Sequence, residues 1–180
     1  MSPTTPTDAE PAPRELMTLP GQHYSVRRWH LAEIHLEGQW RPAMLSEWRR
    51  PPGSPRWVAH LRWGPDASGT QAWGWFLHSD QAIRPLAEPA DGGTPDAAVV
   101  PTEQAGAPDP DDAGRCWRLA WIRTGGAWRS AIVFEQRRPG PGPWIAHARW
   151  GEDREAAWVV ADGVSLRPVQ QHAVTGGRSR

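Results

Sequence analysis

One sequence pattern occurs twice in this chain, and that duplication decides how the chain divides into domains. Trp29-His30-Leu31-Ala32-Glu33-Ile34 matches Trp117-Arg118-Leu119-Ala120-Trp121-Ile122. Trp40-Arg41-Pro42-Ala43-Met44-Leu45-Ser46-Glu47 then matches Trp128-Arg129-Ser130-Ala131-Ile132-Val133-Phe134-Glu135, and Arg49-Arg50-Pro51 matches Arg137-Arg138-Pro139. Trp57-Val58-Ala59-His60 and Arg62-Trp63-Gly64 recur as Trp144-Ile145-Ala146-His147 and Arg149-Trp150-Gly151. The match closes with Trp75 and Ile83-Arg84-Pro85-Leu86 against Trp158 and Leu166-Arg167-Pro168-Val169.

The segment between the copies is rich in Pro, Ala, Gly and Asp. It carries Glu88, Asp91, Asp96, Glu103, Asp109, Asp111 and Asp112 with no basic residue, a composition that predicts disorder. The expected division is a disordered N-terminal tail over 1–22, a first repeat over 23–87 and an acidic linker over 88–113. A second repeat over 114–170 and a C-terminal tail over 171–180 complete it. Within the linker only Ala97-Ala98-Val99-Val100 is apolar enough to dock on anything.

Each repeat reads as short strands. In the first, Trp29 to Leu36 and Trp40 to Arg49 flank the turn signal Glu37-Gly38-Gln39. Trp57 to Trp63 alternates, with Trp57, Ala59, Leu61 and Trp63 on one face and Val58, His60 and Arg62 on the other. Trp73 to Leu77 and Ala82-Ile83-Arg84 supply two more strands, and no stretch has a helical period. Five strands in a domain this small favour closure, which removes exposed edges. All 13 tryptophans lie inside the repeats, where each buries about 150–250 Å². The expected fold is therefore all-β: two tandem five-stranded barrels with disordered tails and linker.

Composition removes several chemistries. There is no lysine, which excludes a Walker-type phosphate loop and Schiff-base or pyridoxal catalysis. With the Ala, Gly and Pro excess, it matches the codon usage of a GC-rich bacterial genome. Cys116 is the sole cysteine, so neither an internal disulfide nor a cysteine zinc site can form, and no histidine cluster has metal spacing. No apolar stretch is long enough for a membrane span, and the first 20 residues lack a secretory signal pattern, so the expected location is cytoplasmic. His60 and His147 occupy matched strand positions near Glu47 and Glu135, and read as outward strand residues rather than acid–base pairs. The expectation is a protein without catalytic residues, cofactor or metal.

The pattern resembles the Tudor and Agenet barrels of the SH3-like class. The resemblance rests on Gly38-Gln39-Trp40-Arg41-Pro42-Ala43-Met44-Leu45 with Ile83-Arg84-Pro85, and on Gly126-Ala127-Trp128-Arg129-Ser130-Ala131-Ile132-Val133 with Leu166-Arg167-Pro168. Where that class has an Asp-Tyr-Gly-like stretch, this chain has Arg62-Trp63-Gly64-Pro65 and Arg149-Trp150-Gly151-Glu152. The resemblance implies aromatic ligand-binding positions at Trp40, Trp63, Trp75, Trp128, Trp150 and Trp158, able to hold a cationic group over their rings.

The arginines suggest a second use. The first repeat has eight arginines against five carboxylates and the second nine against five, so both are basic beside an acidic linker. Arg41, Arg49, Arg50, Arg62, Arg129, Arg137, Arg138 and Arg149 are the candidate contacts for phosphate or an acidic partner. The leading expectation is a tandem adaptor that recognises a protein or peptide segment, two tethered sites adding avidity. The alternative is a DNA- or RNA-binding protein using the Arg/Trp faces, and a third reading is an oligomerisation unit.

Overall fold

The computed structural model describes residues 5–64, 71–107 and 115–170. It is all-β. The first repeat contains β1 (Tyr24–Leu36), β2 (Gln39–Arg50), β3 (Val58–Trp63), β4 (Ala72–Leu77) and β5 (Ile83–Pro85). After β6 (Val99–Val100) the second repeat follows as β7 (Arg115–Thr124), β8 (Ala127–Arg137), β9 (Ile145–Trp150), β10 (Glu155–Val160) and β11 (Leu166–Pro168). The short helix α1 (Arg14–Met17) and a 3-10 turn at Thr102–Gln104 are the only helical pieces among the described residues, and no helix there is long and apolar enough to cross a membrane.

The two repeats share their register as well as their sequence. Both central hairpins turn over two residues at positive φ, Glu37 and Gly38 in one and Gly125 and Gly126 in the other, the conformation a type I′ turn requires. Register shifts fall at matched places, between Arg27 and His30 and between Arg115 and Arg118, then between Leu45 and Glu47 and between Val133 and Glu135.

Strand order is β4-β3-β2-β1-β5 in the first sheet and β11-β7-β8-β9-β10-β6 in the second, all antiparallel. Neither sheet closes into a barrel. The closing strands β5 and β11 are three residues long and end in Pro85 and Pro168, which have no N–H to donate to a further strand.

The expected disorder of the linker and N-terminal tail is corrected where these segments are described. Residues 7–12 and 96–100 form matched straps, one at the front of each repeat. Ala9 N–H donates to His35 O (2.8 Å) and Leu77 N–H to Glu10 O (2.9 Å). In the second repeat Ala97 N–H donates to Arg123 O (2.8 Å) and Val160 N–H to Ala98 O (2.9 Å). Each strap thus bridges the end of the first strand of its repeat and the outer edge of the fourth. Val99 and Val100 pair with Val159 and Trp158, and Pro11 bridges Phe76. The Asp8 carboxylate accepts from Gly38 N–H (2.9 Å) and that of Asp96 from Gly126 N–H (3.1 Å), which ties both straps to the hairpin turns. The expectations for 108–113 and 171–180 lie outside the described residues.

Each sheet has its own core on one face. Ala32, Ile34, Ala43, Leu45, Ala59, Leu61, Phe76 and Ile83 fill the first, and Ala120, Ile122, Ala131, Val133, Ala146, Ala148, Trp150 and Val159 the second. A third cluster lies between the repeats. Trp29, Leu31 and Met44 from β1 and β2 pack with Trp117, Leu119 and Ile132 from β7 and β8, joined by Trp121 and Trp128 and flanked by Leu86 and Val169. The first three residues are the repeat equivalents of the second three, so the two copies dock through the same face. Leu31 N–H donates across the joint to Ser130 Oγ (2.8 Å). Arg154 lies over Trp29 (5.6 Å) and Arg62 over Trp117 (6.0 Å), each arginine coming from the opposite repeat.

The strap locks give the first prediction. Asp96→Ala, measured by urea unfolding, lowers stability by about 1 kcal/mol, the net contribution of one hydrogen bond, and Asp8→Ala lowers it by more, because the Asp8 carboxylate also meets His35 Nδ1 (2.9 Å). An Asp96→Ala protein as stable as wild type would mean that the strap is not held by its turn.

Candidate functional site

The six tryptophans singled out by the sequence fall into three matched pairs. Trp63 packs against the first core, edge-to-face with Phe76 (5.5 Å), while Trp150 is buried in the second and donates through Nε1 to Glu155 (2.8 Å). Trp40 and Trp128 each carry an arginine of the closing strand over the ring, Arg84 at 4.0 Å and Arg167 at 4.7 Å. Trp75 and Trp158 carry Arg49 (4.5 Å) and Arg137 (4.7 Å) and lie against His60 (4.9 Å) and His147 (5.1 Å). The structure therefore brings each of these indoles against the chain's own side chains rather than grouping all six together.

Most of the candidate arginines are engaged as well. Arg41 donates to Glu37 (2.5 Å), Arg49 to Glu47 (3.0 Å), Arg137 to Glu135, Arg62 to Gln71 (3.1 Å) and Arg138 to Gly142 O (3.2 Å). Arg149 lies over Phe134 (5.2 Å) and Arg50 over Trp57 (5.6 Å), while Arg129 is exposed.

One polar constellation is duplicated. The register sets Glu47 opposite His60 and Glu135 opposite His147. Burial alone would raise the Glu47 carboxyl. Hydrogen bonds from Ser25 and Arg49 and the Arg49 charge outweigh that and hold it below the ordinary range. Burial pushes the His60 imidazole down, offset in part by Glu47 and reinforced by Arg62 and Arg49. His147 is lowered in the same way by burial, against Glu135 and with Arg149 and Arg137. Only His60 has a hydroxyl beside it, Ser46 Oγ at 2.6 Å from Nδ1, because Phe134 stands at the matched position. Burial also pushes the Cys116 thiol up, which keeps it protonated and unreactive at neutral pH.

An open aromatic cleft is present in the first repeat. Val26, Arg28, Trp48, Trp57 and His78 line a cavity of about 330 Å³. Trp57 enters β3 and His78 leaves β4, and His78 N–H donates to Trp57 O (2.9 Å). Tyr24 stands edge-on to Trp57 (5.5 Å) and His78 edge-on to Trp48 (4.7 Å). Trp48 and His78 also line a second cavity of about 410 Å³ together with His30, Asp80, Arg84, Glu88 and Trp121, the last contributed by the second repeat. Tyr24, Trp48, Trp57 and His78 are site residues to which the sequence pattern did not point. The available signal was divergence between the copies: Trp48, His78 and Arg28 stand where the second repeat has Gln136, Ala161 and Cys116.

Among the described residues no group of histidine, cysteine and carboxylate side chains could hold a metal ion. No protein-family description, curated protein or solved structure matches this chain.

The lowered histidines set a pH dependence. An imidazole whose folded value lies below its ordinary 6.5 leaves stability intact above pH 6.5 and withdraws it as pH falls below that value. The melting temperature therefore falls between about pH 6.5 and pH 5.5, and His60→Gln/His147→Gln shows a shallower fall over that interval. Identical slopes in the two proteins would assign the acid sensitivity to other groups.

Proposed function

We propose that this chain is a non-enzymatic binding protein that holds an extended segment of a partner protein in the aromatic cleft of its first repeat, with the second repeat as a rigid buttress. The observation carrying this reading is the open cleft walled by Trp48, Trp57 and His78, of which Trp48 and His78 are replaced by Gln136 and Ala161 in the second copy. A cleft of aromatic walls with few polar groups suits apolar side chains presented along an extended backbone. The ring walls are packed edge-on against one another, so they are held in place before a ligand arrives and lose little freedom on binding.

The same reading takes each repeat as a Tudor/Agenet-like, half-open SH3-like unit. In its support, a short Ile/Leu-Arg-Pro strand pairs with the first strand of both repeats, and the Gly turn precedes the Trp-led second strand. It departs from the aromatic-cage expectation, because the ring faces of Trp40, Trp75, Trp128 and Trp158 already carry arginines. It also favours a peptide over nucleic acid. Of the eight candidate contacts, Arg41, Arg49 and Arg137 are paired with carboxylates, and Arg62 and Arg138 with an amide and a carbonyl oxygen, so a phosphate backbone would have to displace partners at five of them. A cytoplasmic location belongs to this proposal.

Selection from a displayed library of random peptides tests it. The selected peptides bind the wild-type chain, bind at least about tenfold more weakly to Trp57→Ala, and retain affinity for Trp144→Ala, the matched position of the second repeat. Single-stranded DNA does not displace them. Peptides indifferent to Trp57→Ala, or saturable DNA binding that collapses as salt rises, would contradict the proposal.

A further inference from the structure

The two cavities of the first repeat adjoin, with the Trp48–His78 pair lining both, so a ligand laid across that pair would enter the two as one groove. Its ends differ in charge. At the Trp57 end the Arg50 guanidinium lies over the indole and makes no ion pair among the described residues, while Arg28 is neutralised by Glu152 (2.9 Å). At the far end Asp80 meets only the imidazole of His78 (3.3 Å), and Glu88 has no cationic partner among the described residues. Arg84, the cation of that end, is bound to Glu33 (2.6 Å) and lies over Trp40. The far wall is Trp121, which is 7% exposed and comes from the second repeat, so a ligand filling the groove crosses from one repeat to the other.

We propose that this groove binds its peptide in one direction, with an acidic residue beside Arg50, apolar residues along Trp57, Trp48 and Trp121, and a basic residue beside Asp80 and Glu88. The inference rests on the reading of the cleft as a peptide site. Apolar contacts with the rings tolerate either chain direction, because they are non-directional. The unlike charges at the two ends reject one direction by juxtaposing like charges. The groove has its full length only when the repeats are docked, which gives the duplicated chain a use that a single repeat lacks.

Two capped probe peptides of identical composition test it, titrated against the full chain by tryptophan fluorescence: Asp-Asp-Leu-Val-Leu-Lys-Lys, whose charges are split between its ends, and Asp-Lys-Leu-Val-Leu-Asp-Lys, whose ends are mixed. The split-charge peptide binds about tenfold more tightly than the mixed one at low salt, and the ratio narrows at high salt. Arg50→Glu, which makes both ends of the groove acidic, abolishes the preference, and Arg50→Glu/Asp80→Lys/Glu88→Lys, altered only at exposed positions, restores it with the peptide turned end for end. Trp57→Ala loses both peptides. Equal binding of the two peptides to wild type, or a preference that survives Arg50→Glu, overturns the directional inference and leaves the cleft as a peptide site. Failure of either peptide to quench at millimolar concentration removes the peptide reading together with it.

Discussion

Four strands of this protein are apolar on both faces, and the rest of the architecture follows from covering the second face. In β1, β2, β7 and β8 one set of alternating residues fills the core of its own sheet. The other set, Leu31, Met44, Leu119 and Ile132, would face water if the repeats were separate. Burying one such side chain contributes about 1.5–3 kcal/mol, a large amount for domains whose cores are this small. Because the exposed set is the same in both copies, the face is self-complementary. It contacts its counterpart as two subunits do across a two-fold axis, β1 against β8 and β2 against β7. The joint leaves the indole N–H groups of Trp29, Trp117 and Trp128 buried without hydrogen-bond partners among the described residues, a cost that its apolar contacts offset.

The straps follow from a second constraint. Open sheets expose edges, and the three-residue closing strands are too short to meet the opposite edge. A segment preceding each repeat fills part of the gap, fixed by a carboxylate on the hairpin turn. Asp8-Ala9 with Pro13 and Asp96-Ala97 with Pro101 are repeat equivalents lying within the tail and the linker. The straps were hidden because their composition is that of a disordered chain. Their backbone groups are satisfied by strands far away in sequence, and neither composition nor periodicity records that.

The strands, the turns and the duplication were legible in the residues. Gly38 and Gly126 announce tight hairpins, and Ala59-His60-Leu61 alternates as a half-buried strand must. The joint was not legible, because Ala43-Met44-Leu45 and Ala131-Ile132-Val133 read as plain apolar runs that do not say which element covers each face. Tryptophan and arginine were prominent, yet neither announces its partner. Arg49 over Trp75 and Arg84 over Trp40 come from different strands of one sheet, so the pairing depends on topology. Residues shared by the copies build the fold and the joint. Trp48 and His78, which differ between them, complete the cleft beside the shared Trp57.

The claim on which this account depends is that the two repeats are one cooperative unit joined through that shared face. Native-state hydrogen exchange on wild-type and Ile132→Ala protein tests it most directly. Ile132 lies outside the second core but inside the joint. The account predicts that removing its side chain costs about 2–5 kcal/mol and lowers amide protection in β1 and β2 of the first repeat along with β7 and β8. Loss of protection confined to the second repeat, with β1 and β2 unchanged, would contradict it.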